Sequence, residues 1–438
     1  MNDIKVGLIG FGNIGAGVVK LLQENADLIR GKVGTGIVLK RIADLDITTD
    51  RGVAVAPECL TTDVNTIFDD PDISVVIELV GGYEPAKTFV LKAIEKGKHI
   101  VTANKALLAL HGEEIYAAAA RNNVEVQFEA SVGGGIPVLT AIKGNMAANR
   151  FGSVFGIMNG TCNYILTRMT QEGADFSEVL AAAQELGYAE PDPTFDIEGV
   201  DTAHKLAILV SLCFGTRIDF KDIHTEGISG ISGLDVKFAA DFGYRIKLLA
   251  IGKQSNGQVE ARVHPTMIPL HNPLADVNGV FNAIRLTGDF VGPVMFYGRG
   301  AGQNPTASAI VGDLIGLSRS MMAGAGRRMS PLGYLDGEIK TLPVKPMNDI
   351  TSKYMLRFSA KDRPGVLASI AGALGTNGIS IESMVQTAHQ EEDETSVPIV
   401  IMTHEALEGS VQKALKEIDG SEFICKKTSF IRIEDNLE

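Results

Sequence analysis

The chain has 438 residues, too many for one typical domain, and predicts two or three. It is 45% hydrophobic and 21% charged, with a formal charge of -13 and no basic cluster, which argues against nucleic acid or an anionic membrane as partner. Cys59, Cys162, Cys213 and Cys425 are scattered and form no CxxC pair, which argues against a disulfide framework or structural zinc.

The opening "MNDIKVGLIG" enters a strand at once and predicts no signal peptide. The longest apolar run, near residues 206–214, is too short to span a bilayer. Together these predict a soluble, cytoplasmic protein of a reducing compartment. After the strand "IKVGLI" the pattern predicts a helix over 16–28, the strand "IVLKRIAD", the strand "ISVVIELV", a helix over 84–96 and the strand "HIVTA". A helix over 105–121 and the strand "VEVQFEA" follow. Apolar strands alternating with amphipathic helices predict an α/β fold, a parallel sheet of Rossmann type, over residues 1–134.

From 135 to about 330 the pattern becomes α+β. Helices are expected at 160–171, 177–186 and 201–214, with strands "FGSVFGIMN", "KLLAIGKQ" and "QVEARVHPTMI". A small-residue helix over 306–320 is expected to pack back on the first domain. Residues 331–353 read as a Pro/Gly/polar linker. From 354 to 438 the order strand, helix, strand, then a helix near 404–418 and the strand "FIRIE", predicts a βαββαβ, ferredoxin-like unit.

Gly10, Phe11, Gly12, Asn13, Ile14 and Gly15 form a G-x-G-x-x-G turn between a strand and a helix. The first glycine permits the tight turn, the second lets backbone approach a pyrophosphate, and the third lets helix and strand pack closely. The acidic residue expected after the second strand is Asp44, with Asp46 close behind; it comes late because the stretch "RGKVGTG" lengthens the crossover. A carboxylate there favours ribose hydroxyls and NAD, but Lys40 and Arg41 precede it, so NAD and NADP both stay open.

"VTANKALLA" places Thr102, Asn104 and Lys105 at the carboxyl end of a strand, where ligands bind in such sheets; Thr102 and Asn104 also suit a helix cap. In "FEASVGGGIPVL", Glu129 and exposed carbonyls could hold a hard cation, and an interdomain hinge fits the pattern equally well. Glu190, Asp192, Asp196, Glu198 and Asp201 crowd one short stretch. They read either as a solvated acidic loop or as a site for an ammonium-bearing substrate. Asp201 and Lys205 stand four apart at the entrance of an apolar helix, one turn from each other on one face. That is either a stabilising surface pair or a lysine held for proton transfer beside a carboxylate.

The motifs "GFGNIG", "VTANKALL", "EASVGGGIPV", "MNGTCNYIL", "ELGYAEPDPTFDIEGVDTAHKLAIL", "YGRGAGQNPTASA" and "KDRPGVLASIAGALGTNGISIESM" together resemble the homoserine dehydrogenases that carry a C-terminal ACT domain. The resemblance covers essentially the whole chain. It implies NAD(P)-dependent interconversion of L-homoserine and L-aspartate 4-semialdehyde in threonine and methionine biosynthesis. It implies Lys205 as proton donor, Lys105 as a second active-site lysine near cofactor and substrate, and Asp201 and Glu190 as substrate-binding residues. Gly187 would lie at the junction of substrate and nicotinamide. Gly302 would contact the cofactor together with the glycine turn, Asp44, Thr102 and Lys105. Glu129, with the carbonyls of Val132, Gly134 and Ile136, would match a site for a monovalent cation, Na or K. In the ACT unit Pro364 and Gly365 fall at a strand-to-helix turn, and the implied ligand is L-threonine as feedback inhibitor.

His204 has no assigned role and reads as a packed, hydrogen-bonded histidine. Two rival functions are an acylating semialdehyde dehydrogenase using Cys162 as nucleophile, and a non-catalytic NAD(P)/amino-acid sensor. Two potential pairing surfaces, the second domain's sheet and the ACT edge, predict a homodimer or homotetramer.

Overall fold

The structure, a computed structural model, describes residues 3–324, 330–335, 337–386 and 396–437. Residues 325–329, 336 and 387–395, which belong to the expected second domain, linker and ACT unit, lie outside the described residues. The chain divides into two compact units. The first comprises 1–158, 201–222 and 281–342; the second comprises 159–200, 223–280 and 343–438.

The first unit is built on a six-stranded sheet in the spatial order Leu60–Thr61, Ile37–Ala43, Ile4–Ile9, Ile73–Glu78, His99–Thr102, Val126–Gln127, with every pair parallel. Chain order reverses between Ile4–Ile9 and Ile73–Glu78, which places a crevice at the carboxyl ends of those two strands. Val6, Leu8, Val75 and Ile77 are fully buried on these central strands. Each such aliphatic contributes about 1.5–3 kcal/mol relative to exposure. The helix Gln303–Met322 packs on the helix Asn13–Glu24 through Ala307, Ile310 and Leu314. Gly17 permits that approach, because a Cβ there would stand 2.7 Å from Gln303 Cγ and 3.2 Å from Ala307 Cβ. The strands Phe151–Ile157, Phe281–Gly288 and Gly292–Arg299 form an antiparallel ladder in the same unit.

Three local expectations need revision. The helix expected over 16–28 is two helices, Asn13–Glu24 and Ala26–Val33, so the long crossover is mostly helix rather than loop. Ile29 and Val33, one turn apart, give the second piece an apolar face in the core, and Gly34 ends it at φ +89. The strand expected over 124–130 pairs only at Val126–Gln127. Beyond it the Glu129 N–H donates to Asp313 Oδ2 at 2.8 Å and residues Glu129–Ser131 coil into a 3₁₀ turn, leaving the ladder. The helix expected near 404–418 is Glu408–Asp419, because Ala406–Leu407 first pairs with Thr351–Ser352.

The second unit contains the helices Gly160–Glu172, Phe176–Glu185, Thr194–Ile197 and Gly233–Asp241. Strands Tyr244–Ser255 and Gln258–Pro269 form a hairpin whose turn residues, Asn256 and Gly257, both have positive φ, as a two-residue hairpin requires. The C-terminal βαββαβ unit lays its strands in the order Ile424–Ile433, Thr351–Lys361, Ser396–Thr403, Ile381–Gln386. The helices Val366–Thr376 and Glu408–Asp419 cover one face through Ile370, Leu374, Val411 and Ile418. The end of Ile424–Ile433 pairs with Gln258–Pro269 at Thr266↔Arg432 and Met267↔Ile433.

Candidate active site

The glycine turn sits at the crevice. Gly10 has φ +97, and a Cβ there would stand 2.7 Å from the Leu79 backbone. A Cβ at Gly15 would collide with the Gly10 carbonyl. Nothing lies within 4 Å of the Cβ position at Gly12, which leaves backbone open to a ligand at the start of the helix Asn13–Glu24. The three glycines thus fill the three roles of a dinucleotide turn, and the helix N-terminus favours phosphate. Gly302, at φ +112, precedes Gln303, whose Nε2 donates to the Asn13 carbonyl at 2.9 Å. This bond joins the start of the long helix to the glycine turn.

Asp44 directly follows the second strand. Its Oδ2 accepts from the Phe11 N–H at 2.5 Å and its Oδ1 from the Asp46 N–H at 2.9 Å. Thr102 and Asn104 act at the ends of the next strands. Thr102 Oγ1 donates to Glu78 Oε2 at 2.7 Å, and Asn104 caps the helix Lys105–Arg121 by accepting from Leu107 N–H at 3.0 Å. Sequence reasoning missed Glu78. It is buried, accepts from the N–H groups of Val80 and Gly81, and so organises two loops at the crevice. Burial pushes its pKa up, against the bonds from Thr102, Val80 and Gly81. The signal was present: an acidic residue closing the otherwise apolar "ISVVIE" has to be satisfied locally.

The helix Val200–Phe214 carries Asp201 and Lys205 inward. Lys205, 8% exposed, donates from Nζ to Asp201 Oδ2 at 2.6 Å and to the Met158 carbonyl at 2.6 Å. Lys105 Nζ lies 3.1 Å from the other Asp201 oxygen. One buried carboxylate therefore bridges two lysines from different elements. A surface i,i+4 pair would be solvated and interchangeable; this one is buried, with a third charge added by the fold. His204 is also buried and stacks on Phe220, with ring centroids 4.3 Å apart at 24°. Burial, together with the charges of Lys105 and Lys205 against that of Asp201, moves its pKa down to about 4. It packs there as a neutral ring.

The carboxylate of Glu129, expected as a cation ligand, has hydrogen-bond donors on both oxygens. Its Oε1 accepts from Leu139 N–H at 2.8 Å, and its Oε2 from Thr140 N–H at 2.6 Å and Thr140 Oγ1 at 2.5 Å. The carboxylate is engaged at the start of the helix Val138–Lys143, where charge and dipole agree. Among the described residues no group of three or more His, Cys, Asp or Glu could hold a metal. A cation would have to use backbone oxygens. Gly133 and Gly134 have φ of +72 and +53, and Gly134 presses against Gly300, so the Val132–Ile136 segment is a tight, side-chain-poor turn able to offer carbonyls. The Ile136 carbonyl also accepts from Val138 N–H at 2.9 Å. Beside Glu129, burial pushes Asp313 up to about 7, with Lys143 pulling it down and Glu129 pushing it further up.

Gly187 and Glu190 are carried by the second unit. Gly187, at φ +74, follows the helix Phe176–Glu185, and Gln184 Nε2 donates to the Glu190 carbonyl at 3.1 Å. The Glu190 side chain is exposed. Among the other clustered acids Asp196 accepts from Asn159 Nδ2 at 2.7 Å and from Thr161 Oγ1 at 3.2 Å. The sequence shows five carboxylates there and no way to rank them.

Residues 137–315 match the family model described as homoserine dehydrogenase, residues 10–129 that of the homoserine dehydrogenase NAD-binding domain, and residues 354–420 that of the ACT domain. A homoserine dehydrogenase of Pseudomonas aeruginosa is 44% identical over 99% of this chain and 99% of its own. This chain belongs to the homoserine dehydrogenase family. The homoserine dehydrogenase of Bacillus subtilis is 39% identical over 100% and 99% of the two chains. The crystal structure of a homoserine dehydrogenase from Thiobacillus denitrificans superposes with a TM-score of 0.94 at 44% identity, covering 99% of each chain. That from S. aureus superposes with a TM-score of 0.78 at 33% identity. A nicotinamide dinucleotide is accordingly the cofactor.

Homoserine dehydrogenase chemistry needs no thiolate, and Cys162 is placed as a structural residue. It is buried, its N–H is capped by Asn159 Oδ1 at 2.8 Å, and its Sγ contacts the Asp196 carbonyl at 3.2 Å. Cys162→Ser is expected to keep homoserine-dependent turnover within a few-fold of the wild type. Loss of all turnover, in a variant whose thermal unfolding is unchanged, would return the acylating mechanism.

Proposed function

We propose that the protein interconverts L-homoserine and L-aspartate 4-semialdehyde, with Lys205 moving the proton. The observation that carries this is the Lys105–Asp201–Lys205 cluster. The nicotinamide supplies the hydride in one direction and takes it up in the other. Hydride arriving at the aldehyde carbon builds negative charge on oxygen, which a held ammonium stabilises before giving it a proton. Lys205 has three donors, of which Asp201 and the Met158 carbonyl use two. The third is free to meet the substrate oxygen. Asp201 orients Lys205 and also holds Lys105, which supplies a second positive charge for the developing alkoxide.

Glu190 and Asp201 are each proposed as substrate-binding residues, and Gly187 as a contact of substrate and cofactor. Gly10 to Gly15, Asp44, Thr102, Lys105 and Gly302 are proposed as the cofactor's contacts. A Na or K ion would be held by carbonyl oxygens from Glu129, Val132, Gly134 and Ile136, since the Glu129 carboxylate is engaged elsewhere. The proposed domains are 1–134, 135–330, 331–353 and 354–438, and the proposed assembly is a homodimer or homotetramer. The direct test is homoserine-dependent reduction of NAD and of NADP by the purified protein; no turnover with either would refute the reaction.

The ACT unit is proposed to bind L-threonine and lower activity. Deleting it is a poor test, because Ile424–Ile433 pairs with Gln258–Pro269 and carries partners of buried charges there. The full-length protein is expected to bind threonine in a calorimetric titration and to slow when threonine, but not serine, is added. No heat and no inhibition would reject that role.

A further inference from the structure

In a sheet of this kind the segment after the second strand meets the adenosine ribose of the dinucleotide. Asp44 follows Ala43, the last residue of the strand, and its carboxylate is clamped by the Phe11 N–H of the glycine turn and the Asp46 N–H. It is therefore fixed at the crevice rather than free to swing away. Two residues on, Asp46 accepts from the N–H groups of Thr48 and Thr49, both at 3.1 Å, and from Thr48 Oγ1 at 3.0 Å. Those bonds from Thr49 and Thr48 hold its carboxyl well below the usual range, so it stays charged. Leu45 stands between the two acids and is 93% exposed.

Of the nearby basic residues, Lys40 is neutralised elsewhere, Arg51 is taken up by Asp46 itself, and Arg41 bonds to backbone carbonyls. Lys40 is bound to Asp70 at 2.6 Å and to Asp72 at 3.0 Å. Arg51 pairs with Asp46 itself at 3.1 Å and offsets that acid's charge. Arg41 directs Nη1 to the carbonyls of Glu58, at 2.8 Å, and Lys40, at 3.2 Å. A 2′-phosphate, at nearly two negative charges, would meet the fixed Asp44 carboxylate, while Asp46 beside it is already paired with Arg51. A ribose with free hydroxyls would instead donate to Asp44.

We propose that this enzyme selects NAD over NADP, with Asp44 as the selecting residue and exposed Leu45 offering an apolar surface to the adenine. The inference rests on the dinucleotide site at the glycine turn and not on the reaction.

The test is a direct titration of the full-length protein with NADH and with NADPH, read by reduced-nicotinamide fluorescence. The chain contains no tryptophan to interfere. The wild type is expected to bind NADH at least about 10-fold more tightly, because like charges facing each other are costly. Asp44→Ser should weaken NADH and strengthen NADPH, moving their ratio by roughly 100-fold. Asp44→Asn keeps an acceptor for the Phe11 N–H while removing the charge, and should move the ratio the same way if the serine variant folds poorly. Equal or tighter NADPH binding by the wild type would overturn the proposal and point to Arg41 as a phosphate ligand. An unchanged ratio in both variants would also overturn it. Tight NADH binding without homoserine turnover would refute the reaction proposed above and leave this inference standing.

Discussion

Lys205→Ala should lower kcat for homoserine oxidation by about 10³-fold, within the range for removing a positioned general acid or base. NADH affinity should stay within a few-fold, because Lys205 belongs to the proton path and not to the glycine turn. The size of the effect follows from how Lys205 is held. Its Nζ is fixed by Asp201 and the Met158 carbonyl, both at 2.6 Å, so it is oriented before substrate arrives. Alanine removes both the charge that stabilises the alkoxide and the proton it receives. Arginine is not expected to rescue, because a guanidinium does not release its proton at working pH and its planar fork does not fit a point contact. Asp201→Asn should also be severely impaired, since Lys105 and Lys205 would then be like charges with no carboxylate between them. Turnover by Lys205→Ala within tenfold of the wild type would show that another group moves the proton.

The parts of the site that were legible in the sequence are those made by neighbours in the chain. The glycine turn, Asp44 and the Asp201/Lys205 spacing each lie within one or two elements, where strand and helix periodicity fix the geometry. The bridging role of Asp201 was not legible. Lys105 reaches it from a helix about a hundred residues earlier, and no periodicity relates the two. The partners of Glu129 were hidden for a related reason. A carboxylate beside three glycines suits a cation, but the donors that occupy it, Leu139 N–H, Thr140 N–H and Thr140 Oγ1, exist only once Val138–Lys143 has formed as a helix. The short crossover helix Ala26–Val33 was hidden by Gly31 and Gly34, which read as loop. Its apolar residues number only two at core spacing, too few to register as a period.

The second large effect lies in the second unit, at Arg432. This side chain is 2% exposed, and both of its faces are used. It meets Glu226 through two bonds of 2.8 and 2.9 Å, and Glu408 through two more of 2.9 and 2.8 Å. Glu408 is 1% exposed and also accepts from Tyr354 Oη and Gln412 Nε2, each at 2.8 Å. Alongside, Arg262 donates to His264 Nε2 at 2.7 Å and pairs with Glu434 at 2.9 Å. Burial, with the charges of Arg432 and Arg262, holds His264 well below the usual imidazole range, so it is neutral and can accept that bond. Arg432→Met should destabilise by about 3–5 kcal/mol, because it leaves Glu408 buried without its cation. Combining it with Glu408→Leu should recover part of the loss, as apolar replacement of both partners removes the stranded charge. The pH dependence has a definite sign. Burial alone would raise the pKa values of Glu226 and Glu408, but the bonds from His224 and Arg432 to the first, those from Arg432, Gln412 and Tyr354 to the second, and the Arg432 charge win, and both stay below the free value. Carboxyls depressed in the fold stabilise it above their unfolded pKa, and that contribution is lost as pH falls through the folded values. The gap between wild type and Arg432→Met should therefore be widest near neutral pH and narrow in acid, once Glu408 of the variant takes up a proton. Urea unfolding of full-length protein at neutral and acid pH reads this out. A deficit of the same size at both would mean that Arg432 acts through packing rather than charge.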